Sequence, residues 1–359
     1  MAVVRKRFVL VVVACIAAGV LGAACNSLVA VPIDDDLPEA GAEGAAGDAT
    51  VAESGGGDGS PADSSSDAPR DASGEAALDA GADADADAEA DADTEPKVRF
   101  AIVGDFGTNS ARELAVANLI MTWNPEFVVT VGDNDYAGPV HQYDQNVGQY
   151  YHSFIAPYAG AYGAGAVENA FFPALGNHDL DFYDGAAYFD FLTLPNNERY
   201  YEVDKGFVHL VVVDSDVREP DGVDPVSTQG AWAQAALGAS AAPFKLVVFH
   251  HPAYTSGGRS AWMDWPFKDW GATAVVTGHV HNYERLRSVD GLSYFVIGQG
   301  GNSSEGFGAI HPASQVRYNA KDGAQLVEVS ATVAHFRYFN VDGTLVDQLK
   351  LDPAGNPVP

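Results

Sequence analysis

Two histidines one residue apart stand in the stretch Gly278-His279-Val280-His281-Asn282-Tyr283-Glu284-Arg285, directly after the apolar run Ala274-Val275-Val276-Thr277. Neutral imidazole is the commonest protein ligand for transition metals. An HxH pair alone is a modest signal, but four other stretches repeat the pattern of apolar run, turn and metal-type ligand. Val98–Val103 leads into Gly104-Asp105-Phe106-Gly107, and Phe127–Val131 into Gly132-Asp133-Asn134-Asp135-Tyr136. Phe171–Leu175 leads into Gly176-Asn177-His178-Asp179, and Lys245–Phe249 into His250-His251-Pro252.

These runs read as strands, and alternate side chains on a strand share a face. In open α/β sheets the ligand crevice lies beyond the carboxyl ends of the strands, so the five motifs are expected to converge at one sheet edge. Between them the spacing predicts helices over Ser110–Trp123, Gln142–Ile155 and Gln229–Leu237. Tyr200–Asp204 and Phe207–Val213 predict a hairpin turning at Lys205-Gly206. Ser293–Ile297, Leu326–Ser330, His335–Phe339 and Thr344–Leu349 read as later strands, the last three antiparallel because their links are too short for crossovers. The class is α/β (α+β), with two packed mixed sheets and outer helices.

The chain has 359 residues and a net charge of −30, but the acidity is uneven. Twenty acidic residues and one basic residue, Arg70, lie between Asp34 and Glu95. Residues 26–96 therefore read as a disordered, acidic linker rich in Ala, Asp, Gly and Ser, unable to bury enough apolar surface to offset ordering. Residues 1–25 read as a signal peptide: Arg5-Lys6-Arg7, the apolar core Phe8–Val20, then small residues up to Cys25. Cys25 resembles the lipidated cysteine of a bacterial lipoprotein; ordinary secretion and an uncleaved anchor are the alternatives. The expectation is an exported protein, either secreted or a cell-surface or periplasmic lipoprotein, touching membrane only through this N-terminus. The two cysteines, Cys15 and Cys25, precede residue 26, so a thiolate metal site in the body is excluded. The acidic balance argues against a nucleic-acid partner. Residues 97–355 form the expected catalytic domain.

The ordered set Asp105-x-Gly107, Gly132-Asp133-x-x-Tyr136, Gly176-Asn177-His178-Asp179, Val247-x-x-His250 and Gly278-His279-x-His281 resembles the purple acid phosphatases of tartrate-resistant type, within the calcineurin-like metallophosphoesterases. That resemblance implies a four-layer α/β/β/α sandwich with two mixed β-sheets. It implies two metal ions: Fe(III) bound by Asp105, Tyr136 and His281, and a divalent ion (Fe, Zn or Mn) bound by Asn177, His250 and His279, with Asp133 bridging. Gly107 stands where the wider superfamily has a histidine, and Tyr136 supplies the exchanged ligand. A metal-activated hydroxide would then hydrolyse small-molecule phosphomonoesters with an acid optimum. His178 is the candidate catalytic acid or phosphate donor. The family usually carries another histidine in the loop after His250; here Tyr254–Trp262 has none, and Arg259 is the candidate substrate residue in its place.

Two other functions use the same residues. One is a phosphodiesterase or nucleotidase with the same centre; the other is a non-catalytic surface lipoprotein using the fold as a binding module, which degenerate ligands would favour. His251 reads as structural, or at most adjacent to the ligands. His141, His152, His209, His311 and His335 read as ordinary strand, helix or surface residues. Asp135, Asp179 and Asp214 read as turn residues or supports, and Asn282–Arg285 as loop. Gly298–Asn302 reads as a glycine-rich turn beneath the site, with a phosphate cradle of backbone N–H groups as the alternative.

Overall fold

Strands β1 (Val98–Val103), β2 (Phe127–Thr130) and β3 (Phe171–Pro173) run parallel, with Phe100 opposite Phe127 and Val128 opposite Phe171. Every residue of β2 and β3 is buried, as expected for parallel strands covered on both faces. The sheet continues from β1 through an antiparallel meander of β11 (Gly323–Val329), β12 (Ala334–Asn340), β13 (Leu345–Leu351) and β14 (Pro357–Val358). In the second sheet, β5 (Val208–Val212), β6 (Phe244–Val248), β7 (Ala274–Thr277) and β9 (Ser293–Ile297) are parallel neighbours. Antiparallel β4 (Tyr201–Lys205) closes one edge, and β8 (Tyr283–Arg287) with β10 (Ser314–Tyr318) closes the other. The computed structural model describes residues 95–359 except 137–141, 182 and 289. The signal and most of the linker, residues 1–94, lie outside the described residues, as does His141.

Period-2 alternation decides what each strand packs against. Leu210 and Val212 of β5 enter the core between the sheets, while Val211 and its neighbour Val213 join an outer cluster with Ala233 and Leu237. Those last two belong to helix α5 (Thr228–Ala239), whose N-cap Ser227 accepts the Gly230 N–H. Stacked pairs bridge the sheets: Phe295 on Phe336 at 4.9 Å and Tyr283 on Tyr338 at 4.0 Å. Helix α1 (Ala111–Thr122), capped by Ser110, packs over β11. The expected sandwich of two mixed sheets with outer helices is the observed architecture. Each fully buried Val, Leu or Phe contributes roughly 1.5–3 kcal/mol of burial, which fixes the strand ends from which the five motif loops leave.

Several local expectations are corrected. The segment read as a helix over Gln142–Ile155 is helical over Asp144–Phe154 but changes pitch: a wide π-type turn over Asp144–Gly148, a single α turn α2 (Gln149–Tyr151), then a tight 3-10 turn over His152–Phe154. The wide turn lets Asn146 donate to the Gly107 carbonyl at 3.1 Å and to Asp135 at 2.5 Å. Of Asn282–Arg285, read as loop, Tyr283–Arg285 belong to strand β8; Glu284 is fully buried there and accepts from the Ser256 N–H, Ser256 Oγ and Thr255 Oγ1. β10 and β14 carry too little apolar alternation to read as strands, and β14 extends the sheet past residue 355. Among the described residues, no helix is long and apolar enough to cross a membrane.

Candidate metal centre

Each motif occupies the loop after a strand: Asp105 after β1, Asp133 and Tyr136 after β2, Asn177 and His178 after β3, His250 and His251 after β6, His279 and His281 after β7. Asp105, Asp133 and His279 all have left-handed backbone, with φ of 56°, 52° and 69°. Such φ values are costly for residues with a Cβ and persist only where surrounding structure enforces them. Two enforcers are visible. The His279 N–H donates to the Asp105 carboxylate at 3.0 and 3.1 Å, and the Asp105 N–H donates to the Gly132 carbonyl at 3.1 Å. Gly176 is required by close approach: a Cβ there would lie 2.2 Å from the Asp133 backbone nitrogen.

The side chains meet in two groups. In the oxygen-rich half, the Tyr136 hydroxyl lies 3.3 Å from Asp105 Oδ1, 3.0 Å from Asp133 Oδ2 and 3.1 Å from His281 Nε2. In the nitrogen-rich half, Asn177 Oδ1 lies 3.2 Å from His250 Nε2 and 3.1 Å from His279 Nδ1, and those two nitrogens are 3.3 Å apart. Asp133 Oδ2 also lies 3.3 Å from His250 Nε2, so one carboxylate oxygen touches both halves. His250 is oriented from behind: its Nδ1 faces the Val131 carbonyl at 2.8 Å and donates to it, which aims Nε2 inward. Inward-facing atoms are then mostly lone pairs. Asn177 Oδ1 and the Asp133 and Asp105 carboxylates can only accept, and this donor set suits cations better than protons.

The family model for calcineurin-like phosphoesterases matches residues 98–283. The chain belongs to that family. Among curated relatives it is similar to purple acid phosphatase 5 of Arabidopsis thaliana, with 26% identity over 287 residues, 68% of this chain and 66% of that protein. Purple acid phosphatase 15 of the same plant is 25% identical over 251 residues, 57% of this chain and 45% of that one. The chain thus spans from just under two thirds to less than half the length of these relatives. Among solved structures, purple acid phosphatase PPD1 from yellow lupin (Lupinus luteus) seeds shares the fold with a TM-score of 0.58 at 17% identity, over 72% of this chain and 54% of that one. GAP50, described as the anchor in the inner membrane complex of Plasmodium, superposes with a TM-score of 0.55 at 19% identity, over 71% and 89%.

In this calcineurin-like phosphoesterase the electrostatics follow from burial of crowded acids. Burial pushes the Tyr136 hydroxyl far above the usual phenol range, with Asp105 and Asp133 adding to it. Burial likewise raises Asp105. Asp133 goes the other way: burial opposes its charge, but His250 and His178 outweigh it and hold the carboxyl well below the usual range. Burial disfavours charge on His250, yet Asp133 and Asp105 raise it to about 10. Burial and His250 lower His279 to about 4. Burial, then His250 and His279, lower His251 to about 3.

All seven predicted metal-type residues are brought together. His178 stands at the rim with its side chain 42% exposed; its ring is 4.5 Å from that of Tyr136, its Nδ1 is 3.1 Å from Asp181 Oδ2, and its backbone N–H donates to Asp133 Oδ1 at 2.9 Å. Arg259 is not brought into the cluster: its guanidinium donates to Asp264 at 2.8 Å and to the Ala253 carbonyl at 2.7 Å, and it lies over the Tyr254 ring. Gly107 has no room for the superfamily's histidine, because a Cβ would fall 1.8 Å from the Asn134 carbonyl oxygen. Asp179 is the support the sequence only hinted at. It accepts from the N–H groups of Asn134, Asp135 and Gly176, from Asn134 Nδ2 and from Tyr143, tying the β2 and β3 loops together. His251, read as structural or at most adjacent to the ligands, is adjacent: it has a ring nitrogen within 4.8 Å of those of His250 and His279. Ser215, Arg218 and Trp262 were missed; none belongs to a motif, and only the fold carries them here. Arg218 donates to the Asn177 and Leu180 carbonyls, and the Asn302 side chain hydrogen-bonds Tyr136.

Proposed function

We propose that the chain is a binuclear metal-dependent phosphomonoesterase of acid-phosphatase type. The observation that carries this reading is the position of Asp133 Oδ2, 3.0 Å from the Tyr136 hydroxyl and 3.3 Å from His250 Nε2. Asp105, Tyr136 and His281 would hold Fe(III), for which a phenolate and a carboxylate are suitable hard donors; Asn177, His250 and His279 would hold a divalent Fe, Zn or Mn. Bound there, the pair supplies an acidified water and neutralises phosphate oxygens.

The chain's own residues prepare that chemistry. Val131 fixes the His250 tautomer, Asp179 fixes the Asp133 loop relative to Asn177, and Asp181 holds His178 at Nδ1. That leaves His178 Nε2 as the end that meets a leaving-group oxygen or a phosphate oxygen. Small-molecule phosphate esters are the substrates and nucleic acid is not a partner. The N-terminal sequence supports export, with Cys25 lipidation as the means of surface attachment. An intact ligand set favours catalysis over use of the fold as a binding module.

Metal analysis combined with a monoester and diester panel across pH tests the reading. The expected result is two metals per chain, faster turnover of monoesters than diesters, and best activity below neutral pH. A protein that binds fewer than two metals, or prefers diesters, overturns it.

A further inference from the structure

Ser215 settles where His251 carries its proton. The Ser215 hydroxyl oxygen accepts the backbone N–H of His250 at 3.2 Å and of His251 at 2.9 Å, which uses both of its lone pairs. Its own proton is left for His251 Nδ1, 3.0 Å away. An imidazole that accepts at Nδ1 bears hydrogen on Nε2. Moving that proton to Nδ1 would put a third donor on the serine oxygen, so Nε2 is a poor metal ligand despite its neighbourhood. Nε2 has no hydrogen-bond partner among the described residues, although His251 is only 7% exposed. Its ring stands 4.6 Å from that of His279 and 4.9 Å from that of His250. Trp262, whose indole N–H donates to the Ser215 carbonyl at 3.0 Å, packs against it at 5.9 Å. This is a fixed donor with no protein acceptor, on a largely buried ring beside a cluster composed mostly of acceptors. An N–H that no protein group engages is free to meet a ligand, and a phosphate oxyanion is a strong acceptor for it.

We propose that His251 is a substrate-binding residue whose Nε2–H donates to a non-bridging phosphate oxygen at the nitrogen-rich half of the centre, and that it is not a third imidazole ligand there. This rests on the phosphoesterase reading above.

The test uses inorganic phosphate as the probe, on the metal-loaded full chain, alongside monoester kinetics and elemental analysis. His251→Phe keeps the ring packing and removes the donor; His251→Gln places an amide N–H near the same point. The phenylalanine variant is expected to keep two metals, and to weaken phosphate inhibition and raise KM about tenfold, the loss of one hydrogen bond to a charged acceptor. The glutamine variant is expected to recover most of that. If the phenylalanine variant does not fold, His251→Asn, which can still meet Ser215 but is too short to reach the oxyanion, is expected to give the same loss. Metal content falling to one per chain, or phosphate inhibition unchanged in a folded, loaded variant, overturns the proposal. A wild-type protein that binds inorganic phosphate but hydrolyses no ester breaks the functional reading while the phosphate measurement still decides His251; one that binds no phosphate overturns both.

Discussion

The two halves of the centre are built differently. Asp105 and Tyr136, from the first sheet, present oxygens and receive one imidazole, His281, from the second. The other half presents two imidazoles from the second sheet, His250 and His279, and one amide oxygen, Asn177, from the first. Each mixes buried with partly exposed side chains and draws residues from both sheets, so neither exists unless the sheets pack in register. Their chemistry differs by donor hardness: the oxygen-rich half can supply anionic carboxylate and phenolate, and the nitrogen-rich half supplies neutral donors apart from shared Asp133. A difference in metal preference between the halves follows from that difference in charge.

Substitutions rank by how much of this arrangement they remove. Asp133→Asn touches both halves and is expected to lower kcat/KM by about 10³-fold or more and to reduce bound metal in both. Equal loss from the two halves would support the shared role; retention of two metals at full occupancy would break it. His250→Ala strikes one half alone, with metal falling from two per chain to one and activity dropping about 10²-fold. If both metals leave, the halves are one cooperative site and the comparison fails. His178→Ala is expected to cost about 10- to 100-fold in kcat with metal content intact, because the side chain lies at the rim. In an iron-loaded protein, Tyr136→Phe is expected to abolish a visible phenolate-to-iron absorption band; an unchanged spectrum would remove Tyr136 from the oxygen-rich half.

A last effect bears on stability rather than activity and concerns the scaffold. Glu113 in α1 accepts from the Thr108 and Asn109 N–H groups that follow the Asp105 loop. Burial raises its carboxyl from 4.5 to about 8, with those N–H donors opposing the rise. The folded protein therefore holds this proton more tightly than the unfolded chain. The associated stability is fully present below about pH 4.5 and is lost as pH rises through about 8, a change on the order of 5 kcal/mol. Thermal unfolding of wild type and Glu113→Gln between pH 4 and 9 checks it: wild type should lose stability more steeply than the variant.

Much of this was legible beforehand because strand ends and ligand types coincide locally. Phe127–Val131 followed by Gly132-Asp133 reads as strand then turn wherever it occurs, and five such units in order mark the candidate metal-binding residues. Elements stabilised by partners far away were not legible. β8 holds because Glu284 receives three hydrogen bonds from Thr255 and Ser256, and its sequence reads as charged loop. Arg259 looked suitable by offset, but offset does not show that Asp264 and the Ala253 carbonyl occupy its guanidinium. His251 reads as structural or adjacent to the ligands, and only the fold places Ser215 against its Nδ1.

The amino-acid order determined which groups are available for chemistry and which strand delivers each, because periodicity and turn chemistry act over a few residues. Tertiary packing alone decided which oxygen of Asp133 faces both halves, which nitrogen of each imidazole points inward, and which basic residues are already neutralised. Those outcomes depend on hydrogen-bond partners far apart in sequence, such as Asp105 and His279, 174 positions apart, and on two sheets meeting through stacked aromatic pairs, and no local pattern encodes them.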